Sequence, residues 1–326
     1  FISPKLTNVY RGLRLGALYT ESSAQGIGKS RRQAAESAHL AVPEYYDTEK
    51  KKWVKTGFHE SVLQISTELE LSEVQTMWMA YISGVPETHI LDGKYVGDEE
   101  ARVDKAIALM KEAKLYFVSI SNYDIDDIEN LIKKYYQLNN VRYVFYDYLS
   151  TTLKIMAEGS RKTKISGLRE DQILLMFCTR LKDLAKQCGI CIFTATQLSG
   201  DWKNAKEADQ QLLRGARAIS DKTDCSAILL PVREADKPVI EAFMGRKEFM
   251  DPPTHVIHIF KVRRGHYNNI RLYVNFDRGT CRLVDYFVSD NQGVILPVAD
   301  TNIEILLSDN KSEKIEDAIP LSDLDF

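Results

Sequence analysis

Residues 17–30 read Ala17-Leu-Tyr-Thr-Glu-Ser-Ser-Ala-Gln-Gly-Ile-Gly28-Lys29-Ser30 and run directly into Arg31-Arg32-Gln-Ala-Ala-Glu-Ser-Ala-His-Leu40. A short apolar run, Ala17 to Tyr19, leads into a turn of small residues and then a helix-forming stretch. Strand, glycine-rich turn and helix in that order is the setting a phosphate-binding loop requires. Successive backbone N–H groups of such a turn, with the positive end of the helix behind them, form a cavity for phosphate oxygens. Ser23, Ala24, Gln25, Gly26, Ile27, Gly28, Lys29, Ser30 and Arg31 are therefore the candidate binding set for a nucleotide such as ATP. Lys29 would bring a point charge to the β and γ phosphates, and the Ser30 hydroxyl would ligate Mg²⁺. The general pattern Gly-x-x-x-x-Gly-Lys-Ser has Gly where Ser23 stands, so an ordinary turn and helix start is the competing reading.

At 326 residues the chain suits one large domain or two small ones, with a composition ordinary for a soluble globular protein. No apolar run approaches membrane-spanning length, and no signal-peptide pattern is present. Five scattered cysteines point to a reducing compartment instead of a disulfide scaffold. Cys188-Gly-Ile-Cys191 has thioredoxin-like spacing, but Cys191 opens an apolar run that reads as a buried strand. The first residue is Phe, which suggests a fragment or a processed product. The net charge of −3 is uneven: from Ser289 onward nine acidic residues and two lysines give −7, leaving +4 on the body. A mildly basic body with an acidic tail is compatible with nucleic-acid binding without demanding it.

Beyond the first helix, Asp47 to Thr56 carries Lys50-Lys51-Lys52 beside Trp53 and reads as a solvated hairpin, with a nucleic-acid contact as the alternative. An apolar strand, Val62 to Ser66, ends at Thr67-Glu68-Leu69-Glu70, and residues 72–83 follow as an amphipathic helix. After a charged helical segment (Glu99 to Lys114) come a strand at Leu115 to Ile120 and an Asp-led helix from Asn122 to Asn139. Val141 to Asp147 then reads as a buried parallel strand delivering a carboxylate at its C-terminal edge, where Asp147 could hold Mg²⁺ or simply cap a helix. The basic, glycine-containing stretch 150–168 includes Arg161, Lys162 and Lys164, and is either a phosphate-backbone contact or a solvated loop. A long helix (Arg169 to Gln187) and a strand ending at Gln197 follow; an amide there can sense a γ-phosphate and signal to the next loop, which carries Arg214 and Arg217. Cys225 to Val232 is apolar, and a Pro/Gly-bearing excursion runs to Pro253. The last strands, His255–Phe260 and Ile270–Phe276, flank Lys261-Val-Arg263-Arg-Gly265, a turn so charged that it is either solvated or presented to another subunit's nucleotide.

Taken together, these motifs resemble the C-terminal ATPase domain of hexameric replicative DNA helicases of the DnaB type, over nearly all of residues 5–287. Gly12-Leu-Arg-Leu-Gly-Ala-Leu18 is similar to the family's entry motif, and the family's phosphate loop also lacks the first Gly. Ser66-Thr-Glu68-Leu69, Asp147-Tyr148-Leu149, Thr196-Gln197-Leu198, Leu213-Arg214 followed by Asp224, and Lys261-Val-Arg263-Arg-Gly265 match further motifs in order. The resemblance implies an α/β fold, the RecA-like P-loop NTPase, with a mostly parallel central sheet flanked by helices and antiparallel strands at the C-terminal end. It implies an ATPase domain at 1–288, with 289–326 as an acidic tail expected to be disordered. It also implies ATP and Mg²⁺ as cofactors, Glu68 as general base, Gln197 as γ-phosphate sensor, and Ser30 and Asp147 at the metal. Lys261 and Arg263 would act on the neighbouring subunit's ATP in a homo-oligomer, six subunits in this family. Arg161, Lys162, Lys164, Arg214 and Arg217 would grip single-stranded DNA in the central channel. Location would be the cytoplasm of a bacterium, its own or a phage's host.

Two departures bear on the DNA grip: Arg217 stands where the family usually has Gly, and Gly215 where it has an acidic residue. Glu70 is a rival base beside Glu68, and the family's N-terminal helical domain is not in this sequence. The tail ends Ile319-Pro-Leu-Ser-Asp-Leu-Asp-Phe326, similar to short peptides that dock replication proteins, or else an inert solubilising extension. Two other functions share the core: a RecA/RadA-type recombination ATPase, and a nucleotide-binding loader or scaffold without motor activity.

Overall fold

A computed structural model describes residues 1–156, 169–198, 202, 208, 212–213, 216–245, 251–265 and 267–298. The expected tail, apart from 289–298, lies outside them. The chain opens with helix α1 (Pro4–Tyr10) and strand β1 (Leu18–Ser23), followed by α2 (Lys29–Ala41) and a separate hairpin, β2 (Glu44–Asp47) with β3 (Lys52–Lys55). Strand β4 (Val62–Ser66) and helices α3 (Leu71–Ser83), α4 (Glu87–Asp92) and α5 (Glu99–Glu112) come next. Then β5 (Leu115–Ser119), α6 (Ile125–Asn139), β6 (Tyr143–Asp147), α7 (Glu170–Cys188) and β7 (Cys191–Thr194) alternate. Helix α8 (Ala216–Lys222), β8 (Cys225–Pro231) and α9 (Lys237–Met244) precede β9 (His255–Val262), β10 (Ile270–Asp277), β11 (Arg282–Asp290) and β12 (Ile295–Leu296).

Ten strands form one sheet in the order β12-β11-β10-β9-β8-β1-β7-β6-β4-β5. The six from β8 to β5 are parallel, because each is reached through a helical crossover. The four from β9 to β12 are antiparallel additions joined by short connections. This is the expected architecture: a mostly parallel sheet with an antiparallel C-terminal extension. Strands β1, β4 and β7 are buried along their whole length, as strands covered by helices on both faces must be.

Helix α2 can lie close to the sheet because Ala34, Ala35 and Ala38 present almost no side chain to it. Its polar residues on that side are satisfied: Ser37 donates to Gln64 Oε1 at 2.7 Å, and Trp78 Nε1 donates to Ser37 Oγ at 3.1 Å. Arg32, fully buried, pairs with Glu36 and with Glu21 at 3.3 Å. Burial works against the Arg32 charge, but the two carboxylates outweigh it and hold the guanidinium protonated.

Three local features differ from the sequence-based expectation. The hairpin at 44–55 forms, yet Trp53 is half-buried, with Lys105 Nζ 4.1 Å from its ring centroid. The 233–253 excursion contains α9, begun by Pro238 in the first turn and anchored by Phe243 stacking on Phe287 at 4.1 Å. The Asp-led helix starts at Ile125, because Asp124 serves as its N-cap and accepts from Asp127 N. Cys191 is buried in β7, and burial raises its thiol pKa, so no reactive Cys-x-x-Cys pair results.

Two histidines make stability pH-dependent. Burial pulls His39, whose Nδ1 shares a 2.7 Å hydrogen bond with the Tyr81 hydroxyl, down to about 4, and His255 likewise to about 4. Both folded pKa values lie below the ordinary histidine value of about 6.5, so the unfolded chain binds more protons in between. The stability these groups contribute is present above about pH 6.5 and is lost as pH falls toward about 4. His39→Gln should therefore lose roughly 2 kcal/mol less than wild type between about pH 7.5 and about pH 5. Denaturation midpoints at the two pH values measure this, and parallel losses would contradict the assignment.

Candidate nucleotide site

The parallel strands deliver their C-terminal ends to one sheet edge. Ser66 lies opposite Asp147 in the β4–β6 ladder, and Thr194 lies opposite both Tyr146 and Thr20. Beyond those ends, Ser23 bridges to Gln197 and Thr67 N donates to Asp147 O at 2.9 Å. Open parallel sheets bind ligands in the crevice outside such ends. A cavity of about 490 Å³ occupies that place, lined by Ser23, Gly28, Lys29, Ser30, Glu68 and Gln197 among others.

Gly28 caps α2 with φ +119°, and a Cβ there would come within 2.5 Å of Phe276 Cε1. Glycine is thus required twice over, by backbone conformation and by the approach of β10. Gly26 also has positive φ, and Arg278 Nη1 donates to its carbonyl at 2.8 Å. Ser30, in the first turn of the helix, lines the cavity wall, and Ala24 and Gln25 complete the rim. Ile27 instead packs against the apolar core under α1. Arg31 lines the cavity, donates to Arg278 O at 3.0 Å and pairs with Glu87 at 2.5 Å.

Lys29 Nζ lies 3.3 Å from Asp147 Oδ1 and 3.5 Å from the centroid of the Tyr148 ring. The Tyr148 hydroxyl donates to Glu68 Oε1 at 3.0 Å and accepts from Gln197 Nε2 at 2.7 Å. Burial and the Glu68 carboxylate both raise the Tyr148 pKa, so its hydroxyl stays protonated. Lys29, Glu68, Asp147 and Gln197, far apart in the chain, form one connected group. Tyr148 as the link, and Arg278, Glu87 and Thr88 as walls, were not assigned from sequence. Only the position of Tyr148 beside Asp147 could have signalled it; Arg278 comes from a distant hairpin and left no local mark.

Among the described residues no three or more His, Cys, Asp or Glu side chains gather as a metal cage. Mg²⁺ keeps several waters and takes few protein ligands, so a site for it needs only one or two side chains beside the phosphates. Asp147 Oδ1 is buried and faces the Lys29 ammonium at 3.3 Å, at the first residue of α2, so Asp147 and the next hydroxyl, Ser30, are the residues that would hold the ion.

Lys261 and Arg263 are at the opposite sheet edge. Val262 lies opposite Cys225, which lies opposite Tyr19, four residues of strand before the phosphate loop, or about 13 Å at ~3.3 Å per residue. Lys261 Nζ donates to Ser220 O, and Arg263 Nη1 is 3.3 Å from Asp224 Oδ1 while remaining half exposed. Asp224 also takes Lys182 Nζ at 2.5 Å and Leu18 N at 2.9 Å. Burial alone would raise the Asp224 pKa, but Lys182 and these other donors outweigh it and hold the pKa low. The Lys261–Arg263 turn is thus tethered to its own body and cannot reach its own phosphate loop. Arg161, Lys162, Lys164, Arg214 and the Arg217 side chain lie outside the described residues, so their expected DNA contact is not placed. Among the described residues no helix is long and apolar enough to cross a membrane.

The chain is 36% identical over 306 residues to the SPbeta prophage-derived uncharacterized protein YorI of Bacillus subtilis (strain 168). That alignment covers 93% of this chain and 60% of YorI, so the chain spans less than two thirds of that relative. Among solved structures, one described as an ATPase domain superposes with a TM-score of 0.64 at 13% identity, covering 86% of this chain and 89% of that one. A DnaB-like replicative helicase, solved in a study of its interactions with primase, superposes with a TM-score of 0.64 at 12% identity, over 86% of this chain and 60% of that one. The sequence over residues 4–283 matches the family described as the DnaB-like helicase C-terminal domain. With the RecA-like sheet and the loop at its C-terminal edge already in place, the chain belongs to that family.

Proposed function

We propose that this chain is the motor domain of a replicative DNA helicase, hydrolysing ATP to move along single-stranded DNA and part the duplex. The observation that carries the proposal is the division of polar and charged groups between the two sheet edges. Lys29, Asp147, Glu68 and Gln197 meet at one edge, while Lys261 and Arg263 stand at the other. Head-to-tail packing of copies, closing into a ring of six, would bring one copy's turn to the next copy's nucleotide. The family match favours this over a recombination ATPase, and the presence of all these groups weighs against a scaffold without turnover.

In this reading the backbone N–H groups of residues 24–29 and the Lys29 ammonium hold the phosphates, and Ser30 and Asp147 hold Mg²⁺. The bound metal would offset the charge that builds up between the β and γ phosphates. Glu68 takes the proton of the attacking water, which first requires Tyr148 to yield its hydrogen bond. Gln197, freed from the same hydroxyl, turns to the γ-phosphate and passes its state to the loop after β7. Arg263 and Lys261 leave Asp224 and Ser220 to reach across the interface. The basic residues Arg161, Lys162, Lys164, Arg214 and Arg217 would then hold the strand by its phosphates. Residues 319–326 are a candidate dock for a replication-protein partner, with an inert solubilising tail as the alternative reading.

Three outcomes are expected. Glu68→Gln should retain ATP binding while losing roughly 10²–10⁴ in kcat; equal loss in Glu70→Gln alone would move the base to the neighbouring residue. Mixing Arg263→Ala with wild type should depress ATPase activity more steeply than the fraction of mutant, and a linear decline would contradict action in trans. Single-strand binding should weaken steeply with added salt. Its salt slope should fall when Arg161, Lys162 and Lys164 are replaced by Gln; a slope unchanged by that substitution would remove them from the contact.

A further inference from the structure

A second cavity, of about 450 Å³, lies along one face of the β9–β10 pair, from mid-strand at His258 and Arg271 toward the Lys261 end. It is lined by His258, Lys261, Asn269, Arg271 and Asn291, with Ser220 and Asp221 from α8. The strand register explains why these residues meet. Arg271 lies directly opposite His258 in the β9–β10 pair, so both side chains stand on one face of the sheet. A register shift between Ser226 and Ala227 in the β8–β9 pair then brings Lys261 round to the same side.

Buried polar atoms are normally paired, and this corner departs from that rule. His258 is 4% exposed and lines the cavity, yet its Nε2 has no hydrogen-bond partner among the described residues. Arg271 Nε and Asp236 Oδ1 are buried and make no hydrogen bond among the described residues. They belong to one cluster, since Arg271 Nη1 lies 3.9 Å from Asp236 Oδ1. The cluster and the cavity rim carry Arg233, Lys261 and Arg271 against Asp221 and Asp236, a surplus of one positive charge.

We infer that this cavity is a second phosphate-oxyanion site, in which His258 Nε2–H, Arg271 and Lys261 donate to the anion and Asn269 and Asn291 close the rim. The donor set matches the ligand: a guanidinium and an ammonium supply charge, and a neutral imidazole and two amides supply directed N–H groups. Burial, reinforced by Arg233 and Arg271, holds His258 well below its ordinary pKa, so the ring is neutral and one nitrogen carries a proton to donate. Phosphate could arrive free or as the terminal group of a nucleotide; the recognition chemistry is the same. The site shares no lining residue with the cavity at Lys29 but shares Lys261 with the motor reading; the test reads His258 in a chain lacking the Lys29 ammonium, so its failure is distinguishable from failure of that reading.

The test uses the full chain carrying Lys29→Ala, which removes the phosphate loop as a competing site. Ring signals of the six histidines are followed by NMR, with His258 identified by its disappearance in His258→Gln. Inorganic phosphate, ATP and, at matched ionic strength, chloride are added separately. Phosphate, ATP or both should shift the His258 signals saturably while chloride does not, and which of the two acts identifies the source. Arg271→Gln should weaken that response roughly tenfold. Should Arg271→Gln fail to fold, Asn269→Gly serves instead, because Asn269 is exposed with φ +55° and glycine keeps that backbone. A His258 signal that neither phosphate nor ATP moves saturably, or a response unchanged in the variant, overturns the site.

Discussion

The contact on which the rest depends is the approach of the Lys29 ammonium to the Asp147 carboxylate, 3.3 Å apart and both largely buried. Neither group could be held there alone, since an unpaired buried charge costs several kcal/mol. The pair requires α2 to start immediately beyond β1, which Gly28 allows by adopting φ +119° where Phe276 leaves no room for a Cβ. It also requires β6 to end two strands away at the same edge, which the β1–β7–β6 parallel ladder provides. The alanine face of α2 and the satisfied Ser37–Gln64–Trp78 group let the helix sit close enough for both conditions to hold.

Under the motor reading the same geometry leaves the site incomplete within one copy. Everything on the phosphate-loop edge is supplied by one copy, and the Lys261–Arg263 turn is held elsewhere by Ser220 and Asp224. A parallel strand has its two ends on opposite edges, so an antiparallel neighbour such as β9 necessarily returns its last residues to the far side. Within one chain no loop of ordinary length undoes that separation. Under the motor reading, ATP turnover is then tied to assembly, and the tethers on Lys261 and Arg263 describe the copy before it engages a neighbour. Tyr148 has a comparable place on the near edge, where one hydroxyl occupies both Glu68 and Gln197.

Much of this was legible in the residue order. The small-residue turn before Lys29-Ser30, the aromatic strand ending at Asp147 and the alternation of apolar runs with helix-forming stretches all carry local signatures, because each depends on neighbours a few residues away. Elements that depend on distant partners were less visible. Helix α9 is held by Phe243 against Phe287, and its Pro-bearing start read as an irregular excursion. Arg278 enters the nucleotide cavity from the β10–β11 turn, about 250 positions after the loop it contacts, as their residue separation of 252 records.

By itself, then, the sequence determined the strand–loop–helix unit, the chemical identity of the groups at its edge, and the family to which their order belongs. Tertiary structure alone decided which of those groups share a pocket, that Tyr148 links them, that Lys261 and Arg263 stand on the far side, and that His258 and Arg271 meet across one strand pair. The physical reason is that residue type and spacing encode local backbone preference, whereas proximity across a sheet is set by strand order and register, which no single segment carries.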